Sequence, residues 1–309
     1  MAKRFLISIG LILFCLACQP KEKWQTTTLF YFDTICQINL HCSPQQFSSG
    51  IKRVKETFDE IEKNFSPGKK NYSSPLVQEL LEKAYDVYQA SEGTFDITIG
   101  PLSRLWGFQD KNYRIPEQEE IKNILKKIGL NKVIREKEKI LLPPWTEFDW
   151  GGIAKGFGVD LAYQELRKLG IQNGFINAGG DIFCWGKNPD NRAWNIGIKH
   201  PRKRGFLGVV SVSNLGIATS GDYQKFFEKH GVRYHHILNP FTGYPASGKQ
   251  SVTVIGPETV YCDALSTAIF VSSQPEDIIR KYPQYGAIIV DSNGKILMIG
   301  KLYSFSKLD

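Results

Sequence analysis

The sequence predicts an α+β fold in which helices pack on antiparallel sheets within a single domain. β-rich runs and helical patterns follow one another without the regular strand–helix–strand alternation of a parallel sheet. No Pro- or Ser-rich linker and no internal repeat divides the 309 residues, a length that one large domain can reach. The composition, with 42% hydrophobic and 23% charged residues, is that of an ordinary globular protein.

The N-terminus has the features of an export signal. Two basic residues precede an apolar run, Phe5 to Ala17, which is too short to span a bilayer. A small residue before Cys18 is typical of a lipoprotein signal, in which the cysteine becomes the lipidated first residue of the mature chain. Cys15 stands where such signals usually carry an aliphatic residue, so an ordinary signal peptide or an uncleaved anchor is the alternative.

The signal also sets the domain boundaries. We expect residues 1–17 to be a lipoprotein signal peptide, residues 18–28 a tether and residues 29–309 the folded domain. The protein is then expected in the cell envelope, held on the periplasmic side of the inner membrane by its lipid anchor.

The charge and the cysteines exclude other classes. The net charge of +8 favours anionic partners, but the basic residues are scattered, with only short clusters such as Arg202-Lys203-Arg204. Basic and aromatic residues are not interleaved, so no nucleic-acid partner is expected. The cysteines after Cys18 have no zinc-site spacing and are interpreted as buried apolar residues, namely Cys36, Cys42, Cys184 and Cys262.

The N-terminal half begins with a strand pattern and two helices. Leu29–Cys42 alternates and predicts a strand or a bent hairpin. Ser43 then starts a helix, in which Gln46 completes a capping box. A second helix starts at Ser74-Pro75 and ends at Gly93.

The segment after these helices predicts a pocket wall. Thr94–Phe108 mixes Gly, Pro and aromatic residues with charges, which is a poor pattern for a core strand. A short helix over Pro116–Ile128 and a hairpin over Lys132–Leu142 follow it.

The C-terminal half is richer in strands. Gly174–Trp185 is a strand interrupted by glycines, which mark a bulge or the close approach of a ligand or another backbone. The further predicted strands are Trp194–Lys199, Gly208–Val212, Ile217–Tyr223, Val232–Leu238 and Ser251–Ile255. The last predicted elements are helices over Val260–Val271 and Pro275–Tyr282 and a hairpin of Ala287–Val290 and Lys295–Ile299.

A glycine-flanked helix start is the first candidate site. Phe148–Asp160, FDWGGIAKGFGVD, places two glycines before a helix that runs to about Leu169. Unpaired N–H groups and the positive end of the helix dipole suit a phosphate, and Lys155 adds a cation. A purely structural glycine turn is the alternative.

Two oxygen-bearing residues near another helix start form a candidate metal site. Asp263 and Thr267 are four residues apart and share one helix face. A carboxylate and a hydroxyl suit Mg²⁺ and not zinc. The alternative is a helix cap and a hydroxyl bonded to the backbone.

His236 and Ser220 are candidates of lower specificity. His236 lies beside a strand end and a tight turn, where a histidine can be an acid, a base or a phosphate partner, or else bond to the turn. Ser220 lies in TSGDY, which is not a nucleophile elbow, and we interpret it as a backbone turn that can bind a ligand.

Taken together, these segments resemble the ApbE family, the FAD:protein FMN transferases of bacterial envelopes. The matching stretches are FDITIGPLSRLWGF, FDWGGIAKGFGVD, FINAGGDI, IATSGDY, HHILNPFTG and VIGPETVYCDALSTA, which occur in the family's order over about residues 94–271. The loop FSPGKKNYSS departs from the Ser…Asn pattern that members commonly carry after the first helix.

The resemblance implies a T-fold-like domain that binds FAD in a cleft. It implies Mg²⁺ held by Asp263, Thr267 and the backbone carbonyl of Ala154. It also implies His236 or Asp222 as the group that assists proton transfer. The residues that it places at or near the flavin nucleotide are Lys155, Gly156, Asp160, Asn177, Gly179, Gly180, Ser220 and Gly221.

Three functions are compatible with this resemblance. The first is transfer of FMN from FAD to a Thr or Ser hydroxyl of exported or membrane flavoproteins, with release of AMP. The second is hydrolysis of FAD to FMN and AMP at the same site, with water as acceptor. The third is a non-catalytic FAD-binding lipoprotein, which the retained Asp263 and Thr267 disfavour.

Overall fold

A computed structural model describes residues 21–68, 72–136 and 139–308 of the chain. The strands in these ranges are β1 (Lys23–Tyr31), β2 (Thr34–Cys42), β3 (Ile134–Glu136), β4 (Lys139–Leu141), β5 (Asn173–Ala178), β6 (Asp181–Trp185), β7 (Trp194–Lys199), β8 (Phe206–Val212), β9 (Leu215–Gly221), β10 (Phe226–Lys229), β11 (Val232–His235), β12 (Lys249–Gly256), β13 (Gly286–Asp291), β14 (Ile296–Gly300) and β15 (Phe305–Lys307). The α-helices are α1 (Pro44–Phe65), α2 (Pro75–Ala90), α3 (Gly100–Leu105), α4 (Gln118–Leu125), α5 (Ala154–Lys168), α6 (Thr259–Val271) and α7 (Pro275–Arg280).

An eight-stranded sheet forms the centre of the molecule. Its order is β1-β2-β5-β6-β9-β12-β13-β14, and every neighbouring pair is antiparallel. One face packs against the helices, chiefly α1, α5 and α6. The other face packs against a three-stranded sheet of order β15-β8-β7. The predicted α+β class is therefore confirmed.

The first two strands form a hairpin that begins earlier than predicted. β1 and β2 pair in register from Lys23↔Cys42 to Tyr31↔Thr34. Phe32 and Asp33 turn the chain, both with positive φ (58° and 56°). The predicted tether is therefore wrong from Lys23 onward, because β-branched threonines there extend the strand. The predicted signal peptide and Cys18 lie outside the described residues.

The first helix has the predicted start. The Ser43 hydroxyl accepts a hydrogen bond from the Gln46 backbone N–H at 3.3 Å, and the Gln46 side chain accepts one from the Ser43 N–H at 3.0 Å. These reciprocal bonds satisfy two backbone donors that a helix start would otherwise leave unpaired. The capping box is confirmed.

The glycines of Gly174–Trp185 make a turn, not a bulge. Ala178 pairs with Asp181, so Gly179 and Gly180 connect β5 to β6. Their φ angles are 64° and 109°, a region that residues with a side chain rarely adopt. A side chain on Gly179 would also meet Thr34 at 2.6 Å. The predicted bulge within a single strand was therefore wrong, while the predicted close approach of another backbone is confirmed, because the Gly179 N–H donates to the Ile35 carbonyl at 3.2 Å.

Two short strands, β10 and β15, were not predicted from the sequence. β10 pairs with β11, and β15 pairs with β8. Each has four residues or fewer and carries charged side chains, so neither shows a clear alternation. Their pairing depends on partners that the fold brings beside them.

The four cysteines of the folded domain agree with their expected character. Cys36, Cys42, Cys184 and Cys262 are free and buried, which confirms their interpretation as apolar core residues. In the described part of the chain, no helix combines the length and the apolar character needed to cross a bilayer.

Candidate functional site

A cavity of about 990 Å³ opens between the central sheet and the elements around it. Its wall includes the turn between β1 and β2, the start of α5, one face of α6, the turn between β5 and β6, and parts of β7 and β9. Thr94, Phe95, Ser103 and Phe108 also line it, so the segment predicted as a pocket wall is one. The volume is within the range of small-molecule and cofactor sites.

Lys155 lies between two buried carboxylates on this wall. Its Nζ is 2.6 Å from Asp181 Oδ2 and 3.5 Å from Asp263 Oδ2. Burial by itself lowers the pKa of Lys155, but the two carboxylates outweigh it and raise this pKa above its usual value. The ammonium group therefore stays charged and neutralises part of the acidic wall.

The surroundings of Asp263 disfavour its charged form. Burial first, and then the nearby Asp181, raise the pKa of Asp263 to about 7, against the lowering effect of Lys155. The Gly156 backbone N–H also donates to Asp263 Oδ2 at 3.2 Å. A carboxylate held in this way favours an additional positive charge beside it.

The hydroxyl group of the metal candidate Thr267 is linked to the hydroxyl groups of two serines. Ser220 Oγ lies 3.0 Å from Thr267 Oγ1 and 2.7 Å from Ser266 Oγ. Ser220 and Thr267 line the cavity, whereas Ser266 has no exposed surface. The serine predicted as part of a ligand-binding turn therefore also links β9 to α6.

The oxygen atoms near Thr267 fit a divalent cation. Asp263 and Thr267 supply a carboxylate and a hydroxyl, which are hard ligands. Ala154 and Gly152 line the same region, and a Cβ on Gly152 would lie 3.1 Å from Thr267 Oγ1. The glycine thus leaves room beside the hydroxyl. Within the described ranges, no three His, Cys, Asp or Glu side chains form a metal cluster, so a cation here needs ligands of mixed type.

Asp160 and Gly156 lie behind the wall and not on it. Both Asp160 carboxylate oxygens accept hydrogen bonds at 2.9 Å, from the backbone N–H groups of Thr259 and Val260. Burial raises the pKa of Asp160 to about 7 although these donors favour its charged form. A Cβ on Gly156 would lie 2.5 Å from the Thr259 carbonyl oxygen. Both residues thus serve to pack α5 against α6, and their expected nucleotide contacts stay a prediction.

The turn between β5 and β6 presents three of the predicted residues. Asn177, Gly179 and Gly180 line the cavity, and Asn177 Oδ1 accepts a hydrogen bond from the Gly180 N–H at 2.8 Å. Asp181 follows this turn with 3% of its surface exposed. Sequence reasoning did not single it out. The available signal was an acidic residue directly after a glycine pair, at the start of a buried strand.

His236 lines the cavity as a neutral side chain. Its Nδ1 lies 3.2 Å from the Lys225 carbonyl oxygen, which can only accept, so Nδ1 carries the proton and Nε2 keeps its lone pair. Burial, followed by the neighbouring His235, lowers the pKa of His236 below its ordinary value, so the ring is neutral at neutral pH. The Phe108 ring packs against it edge-on at 6.5 Å. His236 is therefore oriented to accept a proton through Nε2.

Asp222 and Gly221 do not reach the cavity. Arg202 donates to both Asp222 oxygens, at 2.7 and 2.5 Å, and Arg233 lies 3.8 Å away. Arg202 thus pairs with both oxygens of this carboxylate, and the expected part of Asp222 in proton transfer stays a prediction. A Cβ on Gly221 would meet the Tyr223 ring at 2.5 Å, so this glycine serves packing.

Comparison with known proteins gives a consistent assignment. The model of the ApbE family matches residues 30–289. The FAD:protein FMN transferase of Haemophilus influenzae is 36% identical over 203 residues, which are 62% of this chain and 59% of that protein. The protein of the same name from Treponema pallidum is 32% identical over 244 residues, 71% of this chain and 67% of that protein. The chain thus spans about three fifths to two thirds of the length of these relatives.

Solved structures agree with the sequence comparison. The ApbE protein from Thermotoga maritima superimposes with a TM-score of 0.82 at 30% identity, over 90% of this chain and 97% of that one. The flavinyl transferase ApbE from Pseudomonas stutzeri gives a TM-score of 0.79 at 25% identity, over 93% and 95%. The family model covers most of the folded domain, and the chain therefore belongs to the ApbE family.

Proposed function

We propose that this protein is a Mg²⁺-dependent transferase that moves FMN from FAD to a Thr or Ser hydroxyl of envelope flavoproteins and releases AMP. The observation that carries the proposal is the meeting of Lys155, Asp181, Asp263 and Thr267 in one cavity large enough for a dinucleotide. The names of the curated relatives, FAD:protein FMN transferase, support the same activity.

The residues of the cavity have different roles in binding. Asp263 and Thr267, with the Ala154 carbonyl, would hold Mg²⁺. When bound there, the cation would neutralise the pyrophosphate of FAD and stabilise the charge that develops on the departing AMP. Lys155 stays charged beside its two carboxylates and orients Asp263 for this task.

The transfer step exchanges one P–O bond for another. The acceptor hydroxyl oxygen bonds to the FMN phosphorus, and the bond to the bridging oxygen breaks, so AMP leaves with the electron pair. The hydroxyl proton moves to His236 Nε2, which has a free lone pair on the cavity wall. A water molecule in place of the acceptor would give FMN and AMP by the same exchange, which is the competing hydrolysis.

The proposed acceptors follow from the export signal. We propose that Cys18 carries the lipid anchor and that the acceptors are membrane or exported flavoproteins on the same side of the inner membrane. Mass spectrometry of the mature N-terminus would check the anchor, and an unmodified Cys18 would contradict it.

The activity is tested by incubating the purified full-length chain with FAD and Mg²⁺, with and without a small flavoprotein acceptor. AMP and the mass of the acceptor are followed together. We expect a gain in mass by one FMN, loss of AMP release on chelation of Mg²⁺, and at least about a hundredfold slower AMP release in Asp263→Asn. Ser251→Ala, a buried hydroxyl deletion on β12, is the control.

The other outcomes separate the rival functions. AMP and free FMN without a change in acceptor mass would indicate a pyrophosphatase. Tight FAD binding without AMP would indicate a flavin-binding protein.

A further inference from the structure

We infer that Ser220 and Ser266 are positioning residues that direct the Thr267 hydroxyl proton away from the cavity and so leave its oxygen lone pairs for a cation. The three hydroxyl groups, here called the hydroxyl chain (Ser266, Ser220 and Thr267), connect the interior of α6 to the cavity wall through β9. The inference rests on the proposed cation site, and it adds how the protein prepares one ligand of that site.

The direction of the hydrogen bond at the buried end of the hydroxyl chain is known. Ser266 Oγ lies 2.8 Å from the Asp263 carbonyl oxygen, and a carbonyl can only accept a hydrogen bond. Ser266 is therefore the donor. Because a hydroxyl has one proton, Ser266 has none left for Ser220.

The direction of the other two bonds follows by counting protons. Ser220 Oγ lies 2.7 Å from Ser266 Oγ, so Ser220 must donate to Ser266. Its only proton is then used. Ser220 Oγ also lies 3.0 Å from Thr267 Oγ1, so Thr267 must donate to Ser220.

This order leaves Thr267 as an acceptor towards the cavity. A helical threonine commonly donates to the carbonyl four residues earlier, which is Asp263 here, but Thr267 donates its single proton to Ser220. With its proton directed to Ser220, the Thr267 oxygen can offer lone pairs to a cation. Gly152 leaves the space beside this oxygen open.

Burial stabilises this donor-to-acceptor order of the hydrogen bonds. Ser266 is 0% exposed and Ser220 is 8% exposed, so bulk water cannot readily replace a lost partner. Removing one member therefore leaves the next hydroxyl without its partner and free to turn. Such supporting groups typically contribute about 10- to 100-fold to metal affinity.

The inference is tested with Mn²⁺ as a paramagnetic substitute for Mg²⁺. Free Mn²⁺ is measured by electron paramagnetic resonance during titration of the full chain and of Ser266→Ala, Ser220→Ala and the double variant. We expect each single variant to weaken Mn²⁺ binding by about tenfold. Because both act through one chain of hydrogen bonds, the double variant should bind no more weakly than Ser220→Ala.

Control variants separate positioning from general damage. Ser251→Ala removes another buried serine hydroxyl from the neighbouring strand β12, and it should keep wild-type Mn²⁺ affinity. Melting temperatures identify any variant that fails to fold. In that case Ser220→Cys, which keeps only a weak donor, replaces Ser220→Ala and should still weaken Mn²⁺ binding.

Several results would overturn the inference. These are wild-type affinity in both single variants, additive losses in the double variant, or no Mn²⁺ binding by the wild-type chain. A separate readout keeps the proposed function distinct. If wild-type protein binds Mn²⁺ but releases no AMP from FAD, the transferase proposal fails, while the Mn²⁺ affinities of the variants still decide the role of the hydroxyl chain.

Discussion

Lys155 shows how burial decides the contribution of a single charge. Its Nζ is 2.6 Å from Asp181, and its side chain is 28% exposed. Lys168 lies on the same helix at the same 2.6 Å from Glu165, but its side chain is 64% exposed. Water screens the second pair and leaves it with little net effect, whereas the first pair prevents two buried carboxylates from facing each other unpaired.

The first prediction compares these two lysines. Lys155→Met should lower the free energy of unfolding by roughly 2 kcal/mol at pH 8, and Lys168→Met by less than about 0.5 kcal/mol. The loss in Lys155→Met should be smaller at pH 6, because removing Lys155 raises the pKa of Asp263 further, so that Asp263 takes up a proton as the pH falls and its repulsion from Asp181 decreases. Urea unfolding at both pH values measures the difference, and equal losses in the two variants would refute the argument.

At the scale of elements, α6 depends on its neighbour α5 for its N-terminal cap. Glu258 occupies the N-cap position of α6 without a side-chain capping bond. Asp160 of α5 supplies the acceptors instead, to the N–H groups of Thr259 and Val260. Since α6 carries Asp263 and Thr267, this contact sets the position of the candidate metal ligands relative to Lys155.

The second prediction concerns this cap. Asp160→Ala should lower the free energy of unfolding by about 2 kcal/mol, because two buried N–H groups lose their acceptor. It should also speed hydrogen exchange at Thr259 and Val260. Glu258→Ala, which loses only an ion pair with Lys83, should cost less than about 0.5 kcal/mol. A similar small loss in both variants would show that Asp160 does not cap α6.

At the scale of the whole molecule, His235 connects the β10–β11 hairpin to the main core. Its Nε2 donates to the Ala246 carbonyl at 2.8 Å, and its Nδ1 accepts from the Ile237 N–H at 3.3 Å. Its ring packs edge-on against Phe270 of α6 at 5.5 Å. Both nitrogen atoms are used by the neutral ring, and burial lowers the pKa of His235 below its ordinary 6.5.

The third prediction is a pH dependence of stability. An unfolded chain binds a proton at His235 below pH 6.5, whereas the folded chain resists it, so stability is present above pH 6.5 and is lost as the pH falls. Between pH 7.5 and 5.5 the wild type should lose up to about 1 kcal/mol more than His235→Gln. Urea unfolding at the two pH values tests this, and parallel losses would exclude His235 as the source.

The sequence by itself determined the local structure and the family. Ser43 and Gln46 form the predicted capping box because both partners lie within one helical turn. The six ordered motifs identified the family, and Lys155, Asp263, Thr267 and His236 from these motifs line the cavity. The capping box could be predicted because its two residues are close together in the chain, wherever the rest of it lies.

Only the tertiary structure decided which polar residues were already used elsewhere. Asp160 caps a helix that starts 99 residues later. Asp222, which follows β9, pairs with Arg202 in the connection between β7 and β8. Asp181 enters the site because the β5–β6 turn places it beside Lys155. Hydrogen bonds and ion pairs depend on atoms a few ångströms apart, and for distant segments the packing of the sheet and helices sets those separations.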